Sequence, residues 1–136
     1  TTVGAITFVY GAYIALLKHD LKGLLAYSTV SHLGLITLLF GLDTPLAAVA
    51  AVFHIINHAI FKASLFMSAG IIDHETGTRD MRRMGGLFKT MPRTSVLGIL
   101  AAGSMAGVPL LNGFLSKEMF FTAAVAHENF GGAAYI

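Results

Sequence analysis

Four long apolar stretches separated by short polar ones organise this chain. Residues 1–17 (TTVGAITFVYGAYIALL) carry no charge and are just long enough to cross a hydrocarbon layer of about 30 Å as a helix. The corner Lys18-His19-Asp20-Leu21-Lys22 leads to a second uncharged stretch, 23–42, with Tyr27 near its start. Asp43-Thr44-Pro45 ends it, Pro45 fitting the first position of the next helix. The third stretch, 46–72 (LAAVAAVFHIINHAIFKASLFMSAGII), is long enough to tilt. Residues 73–92 (DHETGTRDMRRMGGLFKTMP) form the extended polar loop. From 93 to 127 the chain is apolar again, interrupted by GVPLLNG at 107–113. Gly107, Pro109 and Gly113 break the backbone hydrogen-bond ladder, and within a bilayer such backbone survives only against protein or a wet cavity. One discontinuous helix in two halves is therefore expected over 93–127, with His127-Glu128-Asn129 a loop and Gly131-Gly132 leading into a further helix.

Composition turns this pattern into an all-α, polytopic membrane fold. The 136 residues are 55% hydrophobic and 12% charged, with a mean hydropathy of +0.73, far from the roughly one quarter charged that is usual in water. There is no Cys, so disulfides and Cys-based metal or iron-sulfur centres are excluded. The opening on Thr1, without a basic segment, and the apolar ending at Ile136 read as an internal piece of a longer protein with no cleaved signal peptide. The net charge of +2 says less than where the charges fall. Lys18 and Lys22 lie in the first connection, and Arg79, Arg82, Arg83, Lys89 and Arg93 in or beside the third, so those connections share a face. The positive-inside rule places 18–22 and 73–92 in the cytoplasm. Nothing in this placement suggests a nucleic-acid surface, and Gly85-Gly86 has no Walker lysine to make a phosphate loop.

Two lysines remain, Lys62 and Lys117, and both lie inside apolar segments. A lysine at mid-bilayer costs about 2.5–3.5 kcal/mol on insertion scales, so it normally faces protein or a hydrated cavity. At about 100° per residue, His54, His58 and Lys62 drift by about 40° per step and form one stripe about 12 Å long, with Asn57 beside it. Imidazole titrates near neutral pH, and a desolvated ammonium can lose its proton in the ordinary pH range. Spaced one turn apart with water between them, these groups would make a proton relay. The alternatives are histidines hydrogen-bonded statically to neighbouring helices, or His54 and His58 as i, i+4 metal ligands. HIINH lacks the Glu of HExxH, so no metal or other cofactor is expected. Lys117 either caps a half-helix together with Glu118 or handles ions just past the unwound segment, where transporters with broken helices place such groups. Lys22 either snorkels into headgroups or admits protons. His32, one turn after Ser28, either extends the relay or bonds across helices.

The runs DLKGLLAYSTVSHLG (20–34), FHIINHAIFKASLFMSAGII (53–72), MGGL (84–87) and GVPLLNGFLSKEMFF (107–121), in this order, resemble the proton-conducting membrane module shared by Mrp-type cation/proton antiporters and the antiporter-like subunits of respiratory complex I. IIDHETGTRDMRRMGGL and PLLNGFLSKEMFF look most like the A-type subunit of the multisubunit Na+/H+ (or K+/H+) antiporter, while complex I relatives usually have Gln at the position of His32. The resemblance implies two inverted five-helix repeats, of which this chain is most of the second, with 93–127 as its broken helix. It also implies roles: Lys22 at the start of its helix, His54 and His58 as relay histidines, Lys62 after them, and Lys117 on the exit side. The implied partners are the bilayer, H+ with Na+ or K+, and the other subunits of a hetero-oligomeric complex in the plasma or inner membrane. The implied protein is one component of a secondary transporter rather than an enzyme. A redox-driven pump component of complex I, or a structural membrane scaffold whose polar stripe fixes helix packing, are the alternatives.

Overall fold

The structure, a computed structural model, describes residues 1–133 except 79 and 84, with side chains through 125. Arg79, Met84 and the side chains of His127, Glu128 and Asn129 therefore lie outside the described residues. Among the described residues the helices run in the order α1 (Thr2–Leu17), α2 (Leu21–Gly41), α3 (Pro45–Thr76), α4 (Leu87–Thr90), α5 (Pro92–Ala106) and α6 (Asn112–Ala133), with a 3-10 turn at Met81–Arg83. Among these, α2 and α3 are long and apolar enough to cross a membrane.

Local chemistry explains where these boundaries depart from the pattern of apolar stretches. The Asp20 side chain accepts the Lys22 N–H at 3.0 Å, so α2 starts at Leu21 and Lys22 is inside its first turn. Thr44 caps α3 by accepting from the Ala47 N–H, and Pro45 opens the helix as expected. α3 runs past the expected limit at 72 because none of Asp73, His74, Glu75 and Thr76 removes a backbone donor or breaks a helix. Gly77, at φ 72°, ends it in the left-handed conformation that suits glycine. The polar segment 73–92 is thus not simply a loop: it holds the end of α3, the 3-10 turn and α4. α6 continues through 127–129, where a loop was expected, and on through Gly131-Gly132, expected to lead into a further helix, because no residue of that stretch removes a backbone donor.

Helices α2 and α3 run antiparallel, as the cross-bonds Lys22–Asp73, Ser28–Lys62 and His32–His54 show. α1 lies against α2 through glycines. A Cβ at Gly34 would sit 2.5 Å from the Phe8 nitrogen and one at Gly4 2.5 Å from the Leu38 nitrogen, so the backbones touch, as small residues permit between membrane helices. Ile36, Leu39, Ala47, Ala50, Ala51 and Ala123 form an apolar core joining α2, α3 and α6 near the 43–45 turn.

The sequence of α5 and α6 is interrupted where GVPLLNG predicted. Gly107 caps α5 at φ 87°, and Leu110 is also left-handed at φ 79°. The first turns of α6 lie beside the last turn of α5: the Gly113 N–H donates to Ser104 Oγ at 3.3 Å, and Lys117 Nζ reaches the Ala106 carbonyl at 2.9 Å. Partners rise together along both helices, so α6 runs in the direction of α5, displaced sideways. Gly113 is required here, since a Cβ would overlap the Ser104 carbonyl oxygen.

Candidate functional site

The stripe on α3 faces inward. His54, Asn57, His58 and Lys62 are buried, with 1%, 4%, 8% and 5% of their surface exposed. Lys62 Nζ donates to the Leu25 carbonyl at 3.2 Å and to Ser28 Oγ. The Ser28 hydroxyl donates to the same carbonyl at 2.9 Å, which leaves its lone pairs for the ammonium. Asn57 Nδ2 donates to the carbonyl of Asn112, the first residue of α6, at 3.3 Å and so ties the stripe to the broken segment. Among the described residues, neither Lys62 nor Lys117 forms an ion pair with a carboxylate.

His32 joins the stripe from α2. Its Nδ1 lies 3.1 Å from His54 Nε2, and its ring stacks 5.2 Å from that of His54 and 4.9 Å from that of His58. His54 Nδ1 lies 3.2 Å from Ser116 Oγ, whose hydroxyl donates to the Gly113 carbonyl at 3.1 Å. These donors assign the tautomers. With its one hydrogen given to Gly113, Ser116 can only accept, so His54 carries its proton on Nδ1 and offers Nε2 as acceptor, and His32 donates from Nδ1. The result is a directed chain of hydrogen bonds from α2 through α3 to α6. Among the described residues, His58 Nδ1 is buried without a hydrogen-bond partner.

Ser116 immediately precedes Lys117. The Lys117 ammonium satisfies the Ala106 carbonyl, one of the unpaired acceptors at the negative end of α5. It passes so close to Gly107 that a Cβ there would be 2.9 Å from Lys117 Cδ. Glu118 is exposed and is not brought to the cluster. Pro109 is an exposed part of the break.

Lys22 stands apart from the histidines, at the far ends of α2 and α3, where its Nζ donates to Asp73 Oδ2 at 3.0 Å. The neighbouring Met81 N–H donates to the His19 carbonyl at 2.9 Å, and Asp20 and Asp80 form an antiparallel bridge. The 18–22 connection therefore lies beside Asp73, Asp80 and Met81. Between them lies an open polar cleft of about 590 Å³ lined by His19, Asp20, Asp73, Thr78, Asp80 and Arg82. Arg82, bonding through its side chain and its backbone N–H, holds the Asp80 carboxyl below the usual carboxylate range.

Two residues escaped the reading of the sequence. Asp73 lies eleven positions after Lys62, about 20° from it around the helix and about 16 Å along, so extending the stripe would have found it. Ser116 gave no comparable signal, because only the fold brings it to His54.

The sequence pattern of the family described as NADH:quinone oxidoreductase/Mrp antiporter, TM matches residues 1–135. A probable K(+)/H(+) antiporter A/B subunit from Rhizobium meliloti (strain 1021) is 70% identical over 122 residues, covering 90% of this chain and 12% of that protein. The Na(+)/H(+) antiporter A subunit from Alkalihalophilus pseudofirmus is 53% identical over 137 residues, 90% of this chain and 17% of that protein. A chain in the structure of the Mrp complex from Dietzia sp. DQ12-45-1b superposes with a TM-score of 0.83 at 52% identity, over 88% of this chain and 13% of the other. This chain thus spans less than a fifth of the length of each of these relatives. It belongs to the NADH:quinone oxidoreductase/Mrp antiporter membrane family, and within it is similar to the A-type subunit of the multisubunit cation/proton antiporters.

Proposed function

We propose that this chain carries protons within the A-type subunit of a multisubunit monovalent cation/proton antiporter, exchanging H+ for Na+ or K+. The observation that carries the proposal is the row of exchangeable groups that α2, α3 and α6 bring together: His32, His54 and Ser116 joined by close polar contacts, His58 stacked against His32, Lys62 one turn further along α3, and Lys117 next to Ser116 at the broken helix. Lys22 and Asp73 stand at the mouth of this line, on the face that the positive-inside rule assigns to the cytoplasm. A proton taken up near Lys22 reaches Lys62, passes along the imidazoles to Ser116, and leaves from Lys117 on the other side. Like charges repel, so a proton arriving at one end favours departure from the other, and cation binding elsewhere in the complex can drive the sequence.

A scaffold fits the geometry less well. A buried ring nitrogen without a partner, as in His58, is costly in a purely structural role, whereas a relay needs a site that can accept. Relatives named as components of antiporters at 53–70% identity favour antiport over redox-driven pumping. The outward apolar faces of α1 (Ile6, Val9, Tyr13) and α5 (Val96, Leu97, Leu100) suit lipid or the remaining helices of the same polypeptide. The decisive test is Lys117→Ala in the complete complex, with antiport followed in everted vesicles. Loss of exchange with the complex still assembled is expected, and a wild-type rate would remove Lys117 from the path.

A further inference from the structure

We propose that His32, His54 and His58 together form a binding site for a divalent transition cation that accepts neutral imidazole, Zn2+ above all. Sequence alone offered two nitrogens at HIINH, too few to argue for a metal. The fold supplies a third from α2: one ring nitrogen of each histidine lies within 4.8 Å of the others. Among the described residues the cluster holds no carboxylate, which disfavours Ca2+ and Mg2+, both of which want oxygen, and favours cations that take imidazole.

The ring positions suit this use. With Zn–N bonds of about 2.0–2.1 Å and tetrahedral angles, imidazole centroids around one ion stand about 5 Å apart. The observed separations are 4.9, 5.2 and 6.1 Å. The planes are inclined to one another by 21° to 42°, and the second side-chain torsion of histidine is broad, so modest ring rotations converge the nitrogens. Among the described residues His58 Nδ1 is a buried ring nitrogen with no hydrogen-bond partner, in a residue 8% exposed, and an ion would satisfy it. His54 already has the arrangement that metal-binding histidines use behind the ligating nitrogen: Nδ1–H bonded to Ser116 Oγ, which fixes Nε2 as the lone pair, now accepting from His32, that would turn to an ion. His32 must move its shared proton from Nδ1 to Nε2 for Nδ1 to bind, with no net proton released. As the half-buried member, it marks the side from which an ion arrives. Three protein ligands leave the fourth position open, and an ion there occupies the imidazoles through which protons would pass.

Binding stands independently of the proton-relay reading; only the consequence for transport rests on it. The test loads the purified complete complex with Co2+, whose visible absorption reports tetrahedral nitrogen coordination. The expected result is a band that Zn2+ abolishes, saturating at one ion per complex beyond any held by His32→Gln or His58→Gln. Each glutamine variant keeps volume and hydrogen bonding, and removing one ligand should weaken binding by at least the roughly 10–100-fold that loss of an outer-shell partner costs. If one variant fails to assemble, the other carries the comparison. Equal Co2+ binding by wild type and an assembled variant overturns the site. In everted vesicles Zn2+ should inhibit antiport, reversibly by chelation. Confirmed binding with antiport unaffected by saturating Zn2+ would leave the site standing and overturn the relay.

Discussion

Ser116→Ala removes one oxygen atom and little volume from the junction between α3 and α6. That oxygen accepts from His54 Nδ1 at 3.2 Å and donates to the Gly113 carbonyl at 3.1 Å, in a residue 1% exposed. Without it the buried His54 N–H has no acceptor, and a buried donor left unpaired costs about 1–3 kcal/mol. Carried wholly by the configuration that passes a proton, this cost slows transfer by roughly 5- to 150-fold, at about 1.4 kcal/mol per tenfold. Antiport in everted vesicles, read as the collapse of a pH gradient on cation addition, should fall within that range, while the complex migrates intact on native gels. Ser116→Thr retains the hydroxyl and should recover most of the rate. A Ser116→Ala complex exchanging at the wild-type rate would refute the assigned direction of the hydrogen-bond chain and its passage to α6.

Other substitutions probe the remaining contacts. Gly107→Ala places a methyl 2.9 Å from Lys117 Cδ at a φ of 87°, a conformation that costs a non-glycine residue about 1–2 kcal/mol; the Lys117–Ala106 contact should be lost and antiport should drop in assembled complex. Normal exchange by Gly107→Ala would show that Lys117 need not rest on the end of α5. Asp73→Asn should leave assembly unchanged, because its ion pair with Lys22 is about one third exposed on both sides and worth at most about 1 kcal/mol. It should instead move the dependence of antiport on cytoplasmic pH, as should Lys22→Ala, and profiles superimposable on wild type would exclude this pair from proton uptake. The depressed Asp80 carboxyl contributes order to the Met81–Arg83 turn above the ordinary carboxylate pKa, and this is lost as pH falls through the lower folded value. Amide exchange of that segment should thus be flat from neutral pH down to about pH 4 after correction for intrinsic rates, and a midpoint near neutrality would contradict the Arg82 pairing.

How far the sequence discloses the fold follows from the range of each interaction. The order of the long helices, the Pro45 helix start and the break at Gly107–Gly113 depend on residues a few places apart, and these were legible. Boundaries set by one cap were less so: Asp20 draws Lys22 into α2, and Gly77 rather than the polarity of Asp73 ends α3. The inward face of α3 was legible because His54, His58 and Lys62 repeat at helical spacing. Which atoms they meet was not, since Leu25, Ser28, His32 and Ser116 lie 22 to 62 residues away in sequence. Whether His32 joined the histidines was open from the sequence, and a 3.1 Å contact across α2 and α3 brings it in.

The lysines divide by what solvates them, and the division bears on conduction. Lys22 meets a carboxylate, Asp73, in a pair about one third exposed on both sides. Lys62 and Lys117 meet backbone carbonyls, those of Leu25 and Ala106, together with the Ser28 hydroxyl. Dipoles of this kind solvate an ammonium without neutralising it, and a neutral amine can remain beside them without leaving an orphaned anion in a medium where such an anion costs several kcal/mol. A group that must alternate between charged and uncharged forms needs partners indifferent to the change, and carbonyls are such partners. Replacing Leu25 or Ala106 leaves those carbonyls in place, so their contribution is tested from the other side. An aspartate at Ser28 should trap Lys62 in an ion pair and stop antiport while the complex remains assembled. Continued exchange by an assembled Ser28→Asp complex would show that Lys62 does not cycle its proton.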